Sequence, residues 1–191
     1  LLALRPDLRI ELLRGNVDSR LKRVADGEFE AILLAASGLN RLGRGDRIRT
    51  LLPVEDFVPA PGQGALALQI REGDAPAIEV WGPTLNDPAT ALAVKAERAA
   101  MRALEGSCRT AVGAHAWHDG DDLVLIAERL RPDGTRRWRE TARISPTADV
   151  EAAAEALGHT VQNRALADGD PANDRLQSLA ADAETLRRRI G

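Results

Sequence analysis

The sequence has few sulfur-containing and few aromatic side chains. One cysteine, one methionine, two phenylalanines and no tyrosine occur in 191 residues. A single thiol excludes an internal disulfide and any metal site built from several cysteines. The three histidines, His115, His118 and His159, do not have the spacing of metal ligands, so we expect no metal site.

Long apolar runs and a basic charge are also missing. The longest apolar stretches, such as AILLAA at 31–36, are far shorter than the roughly 18 residues of a membrane-spanning helix. No signal peptide is visible at the start, so we expect a cytoplasmic protein that does not bind membranes. The net charge of -3 disfavours a general nucleic-acid-binding protein.

Lysine is scarce, whereas arginine is abundant. Only Lys22 and Lys95 are lysines among the 26 basic residues. Codon bias in a GC-rich genome explains this composition. Recognition of carboxylates explains it as well, because a planar guanidinium binds a carboxylate through two parallel hydrogen bonds. Composition alone leaves both explanations open.

The start of the chain indicates a fragment of a longer protein. The sequence opens on the apolar stretch LLALRPDL, which is typical of the end of a helix, and its methionine is Met101. A translated protein begins with methionine and rarely begins inside a secondary-structure element.

The first 51 residues alternate strand and helix patterns. RIELL at 9–13 and EAILLAA at 30–36 predict strands. Asn16 is the predicted N-cap of a helix over 17–25, and a further helical piece is predicted over 46–51. Strand, helix, strand and helix in this order predict a parallel α/β layer.

Proline and glycine mark the next segment. They exclude helix from most of residues 53–64, which precede a strand predicted over 65–70. Residues 74–83 are predicted to be a linker that contains a domain boundary.

The rest of the chain predicts a small α+β domain. Asp87 and Pro88 predict the N-cap and the first residue of a helix that Gly106 ends. Three strands and two helices are expected to follow, over 111–117, 123–130, 136–144, 149–157 and about 176–186. Apolar and polar residues alternate along the third strand, which indicates an antiparallel sheet with helices on one face and water on the other.

The one thiol lies in a stretch of small residues, LEGSCRTAVGAHA at 104–116. Cys108 is either a buried inert thiol, the common state of a lone cysteine, or the attachment point of a covalent group. Gly106 and Ser107 leave space around the sulfur, and Arg109 favours the thiolate. No His-Asn or His-Asp pattern indicates a hydrolytic nucleophile.

Four stretches together resemble one enzyme family. They are LRGNVDSRL at 13–21, AILLAASGLNRLG at 31–43, PAPGQGA at 59–65 and the cysteine stretch at 104–116. Similar motifs occur in this order and spacing in porphobilinogen deaminase, also called hydroxymethylbilane synthase. Its cofactor-attachment loop is close to LEGGCQVPIGAYA. The likeness runs from about Pro6 to about Gly134.

The resemblance implies a protein of three domains. Two are α/β lobes of the periplasmic-binding-protein type, and the third is a small α+β domain that carries the cysteine. Residues 1–58 correspond to the later part of the second lobe, 59–82 to a hinge and crossover strand returning to the first lobe, and 83–191 to the cofactor-bearing domain. Without the rest of the first lobe, the strand over 65–70 is expected to lack sheet partners.

The resemblance also implies an activity in tetrapyrrole biosynthesis. Members of the family condense four porphobilinogen molecules into hydroxymethylbilane and release ammonia at each condensation. The growing chain is primed on a dipyrromethane cofactor that a thioether joins to the loop cysteine, which Cys108 matches. The family is expected to be monomeric.

Several positions match family residues that hold the cofactor and the substrates. Arg14, Arg20 and Arg41 match arginines that bind pyrrole carboxylates, and such charges, if buried without a partner, cost several kcal/mol each. Gly15 and Gly38 match turn glycines that bring the backbone close to the cofactor.

One more position belongs to the predicted site, and the arginines of the third strand are expected to lie outside it. Gln63 matches a hinge glutamine, whose side chain either links the lobes as the product grows or only fixes the crossover. The arginines of the third strand are instead expected to be solvated, namely Arg136, Arg137, Arg139 and Arg143.

The catalytic residues of the family have no match in this chain. Its proton-handling aspartate, its lysines and a pair of adjacent arginines lie in the N-terminal part of the family, and Asp18 and Asp46 match none of them. We therefore assign no catalytic residue and expect the isolated chain to be inactive. The alternative is a non-catalytic binding module for an acidic small molecule, from a truncated or diverged gene.

Overall fold

The computed structural model describes residues 1–71, 74–105, 110–145 and 147–170. The chain divides into two units, one of Asp7–Phe57 and the other of Leu1–Pro6 together with Val58–Gly191. The division predicted from the resemblance, 1–58, 59–82 and 83–191, stays a prediction.

The unit of Asp7–Phe57 contains only short helices. Helix α1 spans Val17–Ala25 and begins at the predicted N-cap, because the Asn16 side chain accepts a hydrogen bond from the Ser19 amide at 2.8 Å. Helix α2 spans Ala36–Arg41, and a 3-10 turn follows at Gly45–Arg47. The helical piece predicted over 46–51 is therefore limited to this turn.

The strands predicted over 9–13 and 30–36 are wrong for this structure. Neither segment is a strand, and the parallel α/β layer does not form among residues 7–57. A strand needs a neighbouring strand for its backbone hydrogen bonds, and this unit contains none. Apolar side chains in both segments stay exposed as a result; Leu12 and Leu33 are examples.

Residues 58–85 also differ from the prediction. The strand predicted over 65–70 is wrong, because no strand forms there, and Leu66 and Leu68 are 88% and 73% exposed. The predicted linker is wrong, because helix α3 spans Ala75–Leu85. One proline occupies one of the first two positions of this helix, where no amide donor is needed. Pro83 lies inside the helix, close to its end, and removes one backbone donor there.

The α+β domain, which consists of α4, α5 and strands β1 to β3, forms as predicted. Helix α4 spans Pro88–Ala103, and its N-cap Asp87 accepts a hydrogen bond from the Thr90 amide at 2.6 Å. The antiparallel strands follow in the order β1-β2-β3, and helix α5 ends the described chain. Their bounds are β1 Val112–Asp119, β2 Asp122–Leu130, β3 Arg137–Ile144 and α5 Val150–Ala167. The predicted end of α4 at Gly106 and the helix predicted over 176–186 lie outside the described residues.

Helices α4 and α5 cover one face of the sheet with small side chains. The core of this layer contains Ala96, Ala99 and Ala100 of α4, together with Leu125, Trp138 and Val161. Gly158 of α5 lies where the two helices are closest. A Cβ at this position would be 2.5 Å from the Ala100 carbonyl oxygen.

Polar contacts attach the end of α5 to the sheet. Arg129 is buried; its Nη1 donates to Gln162 at 2.7 Å and its Nε donates to Asp170 at 2.9 Å. The Trp138 indole donates to Asp168 at 2.7 Å. A buried guanidinium needs such partners to offset the loss of its hydration, so these contacts fix the position of α5.

The opposite face of the sheet is less exposed to water than the alternation predicts. Val124, Ile126 and Glu128 of the central strand are buried there. The register places Trp117 and Arg143 on the two sides of Val124, so larger side chains of the outer strands flank the smaller central ones.

The arginines of β3 are only partly solvated. Arg137 and Arg139 are half-buried and donate to the same oxygen of Glu128, at 2.8 and 3.0 Å, which contradicts the prediction for these two. Arg136 and Arg143 are exposed, as predicted. Burial raises the pKa of Glu128, and the hydrogen bond from Arg137 opposes this shift.

We predict that Gly158→Ala destabilises the α+β domain by about 1–3 kcal/mol, because the added methyl group has no space between α4 and α5. The urea midpoint, followed by circular dichroism, should fall. Thr160→Ala changes an exposed residue of the same helix and should leave the midpoint nearly unchanged. A Gly158→Ala protein as stable as the wild type would show that the helices are not in close contact.

Candidate functional site

The first group of predicted site residues lies where the chain enters α1. Gly15 has a φ of +123°, and a Cβ at this position would be 2.5 Å from the Ser19 Oγ. Its carbonyl oxygen accepts a hydrogen bond from the Arg20 Nε at 2.7 Å. The structure therefore brings Gly15 and Arg20 together and places Arg14, which is exposed, directly before them.

The second group lies on α2. Gly38 lies in this helix and not in the predicted turn. A Cβ at this position would have no atom of the described residues within 4 Å. Arg41 is exposed in the last turn of the helix. The ion pair between Arg44 and Asp18, at 3.3 Å, connects the segment after α2 with the first turn of α1. This ion pair therefore links α1 to the segment that follows α2.

Charge pairing separates the predicted arginines from Arg23 but not from every arginine of this unit. Arg23 pairs with Glu28 at 2.7 Å. Within the part of the chain that the structure describes, no carboxylate pairs with Arg14, Arg20 or Arg41. Among these described residues, Arg47 and Arg49 of the same unit also lack a carboxylate partner, so charge pairing alone does not select the three.

The turn that carries Gln63 depends on glycine. Gly62 and Gly64 have φ values of +71° and +87°, which residues with a Cβ rarely adopt. The Gln63 amide donates to the Ala60 carbonyl oxygen at 3.1 Å, and the Gln63 side chain is exposed. It lines a cleft together with residues of α4 and β1, among them Thr90 and Trp117.

Glu97 is a buried carboxylate behind this turn. Its Oε2 accepts a hydrogen bond from the Gly62 amide at 2.7 Å, and its Oε1 accepts one from the Ala116 amide at 2.8 Å. The Nδ1 of His115 lies 3.3 Å from the same Oε1. Glu97 was not among the predicted site residues, although a charged residue in a run of alanines was a visible signal.

The residues on both sides of the cysteine segment are described, whereas Gly106, Ser107, Cys108 and Arg109 lie outside the described residues. Leu104 is completely buried, and Glu105 follows it with a φ of +52°, an uncommon value for a residue other than glycine. On the other side, the Ala111 carbonyl oxygen accepts a hydrogen bond from the Leu130 amide at 2.8 Å. The α+β domain therefore holds both ends of the cysteine segment.

No group of three or more His, Cys, Asp or Glu side chains that could bind a metal ion occurs in the described ranges. In these same ranges, no helix has both the length and the apolar character needed to cross a membrane.

Two consecutive segments of the chain match models of one family. Residues 1–79 match the model described as porphobilinogen deaminase, dipyromethane cofactor binding domain. Residues 91–167 match porphobilinogen deaminase, C-terminal domain. The two matches follow each other along one chain, as expected for consecutive domains of a single protein.

Similar proteins named porphobilinogen deaminase occur in several bacteria. The one from Phenylobacterium zucineum is 51% identical over 156 residues, which are 81% of this chain and 48% of the relative. The one from Caulobacter sp. strain K31 is 49% identical over 172 residues, or 90% of this chain and 54% of the relative. That from Thiobacillus denitrificans is 47% identical over 152 residues, or 80% and 49%.

The chain spans about half the length of the curated relatives that it matches. These findings agree with the four motifs found in the sequence. The chain belongs to the porphobilinogen deaminase family.

We predict that Glu105→Gly is more stable than Glu105→Ala by about 1 kcal/mol, because both variants lose the carboxylate and only glycine adopts a positive φ without strain. Urea unfolding of the two variants side by side measures this difference. Equal stabilities would show that Glu105 does not adopt the left-handed conformation at the start of the cysteine segment.

Proposed function

We propose that this chain is the C-terminal part of a porphobilinogen deaminase that converts four porphobilinogen molecules into hydroxymethylbilane and releases ammonia at each condensation. The match of residues 1–79 to the cofactor binding domain of the family carries this proposal. The relatives that support it are about twice as long as the chain, so the activity is assigned to the longer protein that contains these residues, here called the whole protein.

Cys108 is the proposed attachment point of a dipyrromethane cofactor through a thioether. When bound, this group supplies the pyrrole on which the product chain is built. The chain fits such a group in two respects. Cys108 has no second cysteine with which to form an internal disulfide, and the domain holds the neighbouring residues Leu104 and Ala111 in place.

Arg14, Arg20 and Arg41 are the proposed ligands of the carboxylates. Each pyrrole derived from porphobilinogen carries an acetate and a propionate, and guanidinium groups bind such anions through charge-assisted hydrogen bonds. The Gly15 carbonyl oxygen holds the Nε of Arg20 and leaves its two terminal nitrogens for an anion. The open space beside Gly38 supports close approach of the cofactor to α2.

The proposed architecture places residues 1–58 and 59–82 in α/β lobes of the periplasmic-binding-protein type and residues 83–191 in the cofactor-bearing domain. Exposed apolar side chains support the first part of this proposal. Leu12, Leu66 and Leu68 are 81%, 88% and 73% exposed, as expected for surfaces that the rest of the whole protein covers.

The remaining assignments come from the resemblance alone. The whole protein is proposed to be a cytoplasmic monomer, and light scattering of the purified protein tests its oligomeric state. In the same proposal, Gln63 belongs to the hinge between the lobes.

We predict that intact-mass measurement of the whole protein shows an adduct of two pyrrole units, and that Cys108→Ser removes both the adduct and the turnover of porphobilinogen. The isolated 191-residue chain should form no hydroxymethylbilane, whereas co-expression with the other part of the protein should restore the reaction. An active whole protein with an unmodified Cys108 would overturn the assignment.

We also predict that Arg14→Leu, Arg20→Leu and Arg41→Leu each lower kcat/KM of the whole protein by about 10- to 100-fold, the expected effect of losing a charge-assisted hydrogen bond. The matched control is Arg23→Leu on α1, because Arg23 already pairs with Glu28. A control that loses as much activity as the three variants would contradict their selective role.

The alternative, a non-catalytic module that binds an acidic small molecule, makes a different prediction for the same experiments. The whole protein would then carry no adduct and form no product, while replacement of the three arginines would still weaken binding of a polycarboxylate. Calorimetric titration with porphobilinogen distinguishes the two functions when it is combined with the mass measurement.

A further inference from the structure

We propose that Glu97 is a positioning residue that fixes the turn carrying Gln63 against the α+β domain. The role of Gln63 itself rests on the proposed function. The contacts of Glu97 with the turn are independent of that function and can be measured separately.

The Glu97 carboxylate joins two parts of the chain that are far apart in sequence. It projects from α4 and is 5% exposed. One oxygen binds the amide of Gly62 in the turn, and the other binds the amide of Ala116 in β1. The residue before Gln63 is thus attached to the α+β domain by a buried, charge-assisted hydrogen bond.

The neighbouring contacts hold the same segment against β1. The Ala114 amide donates to the Pro59 carbonyl oxygen at 3.0 Å. A Cβ on Gly113 would lie 2.7 Å from the Val58 carbonyl oxygen, so the two backbones are in direct contact. Glu97 therefore completes a series of contacts that begins at residue 58 and ends immediately before Gln63.

Among the described residues, no hydrogen bond joins the turn to the α+β domain after Gln63. The Gly64 amide has no hydrogen-bond acceptor among the described residues, and the space beside Gly64 is open there. The hydrogen bonds from the Gln63 amide to Ala60 and from the Ala65 amide to Gly62 are internal to the turn. The hydrogen bond between Gly62 and Glu97 therefore provides the attachment to the α+β domain that lies nearest to Gln63. Loss of this bond should release the turn while the sheet stays folded.

The chemistry at position 97 requires two acceptor oxygens. Glutamine has the same shape as glutamate, but its amide group supplies one acceptor and one donor. In Glu97→Gln, the side-chain NH2 would face one of the two backbone amides, and that amide would lose its partner. His115 also lies beside the carboxylate, and its Nδ1 must carry a proton to donate to it.

The matched control is Glu128→Gln. Glu128 is 4% exposed, as buried as Glu97, but it binds Arg137 and Arg139 on the other part of the sheet. A general loss of stability should therefore affect both variants, whereas release of the turn should occur only in Glu97→Gln.

The first test is hydrogen exchange in the whole protein, measured at single residues by mass spectrometry. In the wild type, the Gly62 amide should exchange at least about tenfold more slowly than the Gly64 amide, because only Gly62 has an acceptor. Comparable exchange of the two amides overturns the proposal, and this measurement needs no variant.

The second test compares the variants. Glu97→Gln should increase exchange over residues 59–65 by about tenfold or more and leave residues 122–130 unchanged, whereas Glu128→Gln should leave residues 59–65 unchanged. Equal increases over residues 59–65 in both variants would show that Glu97 contributes only general stability.

The third test concerns the reaction. Gln63→Ala and Glu97→Gln should shift the lengths of enzyme-bound pyrrole chains, seen by intact mass, in the same direction, and Glu128→Gln should not shift them. A Glu97→Gln protein with the wild-type distribution overturns the positioning role. A wild-type whole protein without any bound pyrrole chain disproves the proposed function, while the exchange of Gly62 still decides the contact.

Discussion

The free edge of β1 is the point on which the arrangement of the α+β domain and its adjoining segment depends. A three-stranded sheet leaves amide groups of its outer strands without strand partners, and an uncovered edge attracts water or another chain. Here the Pro59 carbonyl oxygen covers one amide of β1 and the Glu97 carboxylate covers the next. The same carboxylate binds Gly62, so one side chain both protects the edge of β1 and holds the turn that carries Gln63.

Features determined by neighbouring residues could be predicted from the sequence, and features determined by distant ones could not. Asn16 and Asp87 cap their helices as predicted because a cap needs only the next three residues. The strands over 9–13 and 30–36 do not form because a strand depends on a partner elsewhere in the chain. The segment over 74–83 was predicted to be a linker but belongs to a helix, since proline near the start of a helix carries little penalty and Pro83 lies close to its end.

The candidate site was accessible to sequence reasoning mainly through its motifs. They identified Arg14, Arg20 and Arg41, and the structure adds that these side chains have no carboxylate partner among the described residues. The motifs did not identify Glu97, because its importance comes from burial and from two amides far away in sequence. The partial pairing of the β3 arginines was hidden for the same reason, since Glu128 lies on the neighbouring strand.

The close contact of α4 with α5 limits how this domain can change in evolution. Methyl groups and one glycine separate the two helix backbones, so almost any replacement in this contact adds volume where none is free. Sequence drift in the domain should therefore concentrate on its outward-facing residues. Libraries made to alter the protein would retain more folded members if they left the buried residues within 96–103 and 154–165 unchanged.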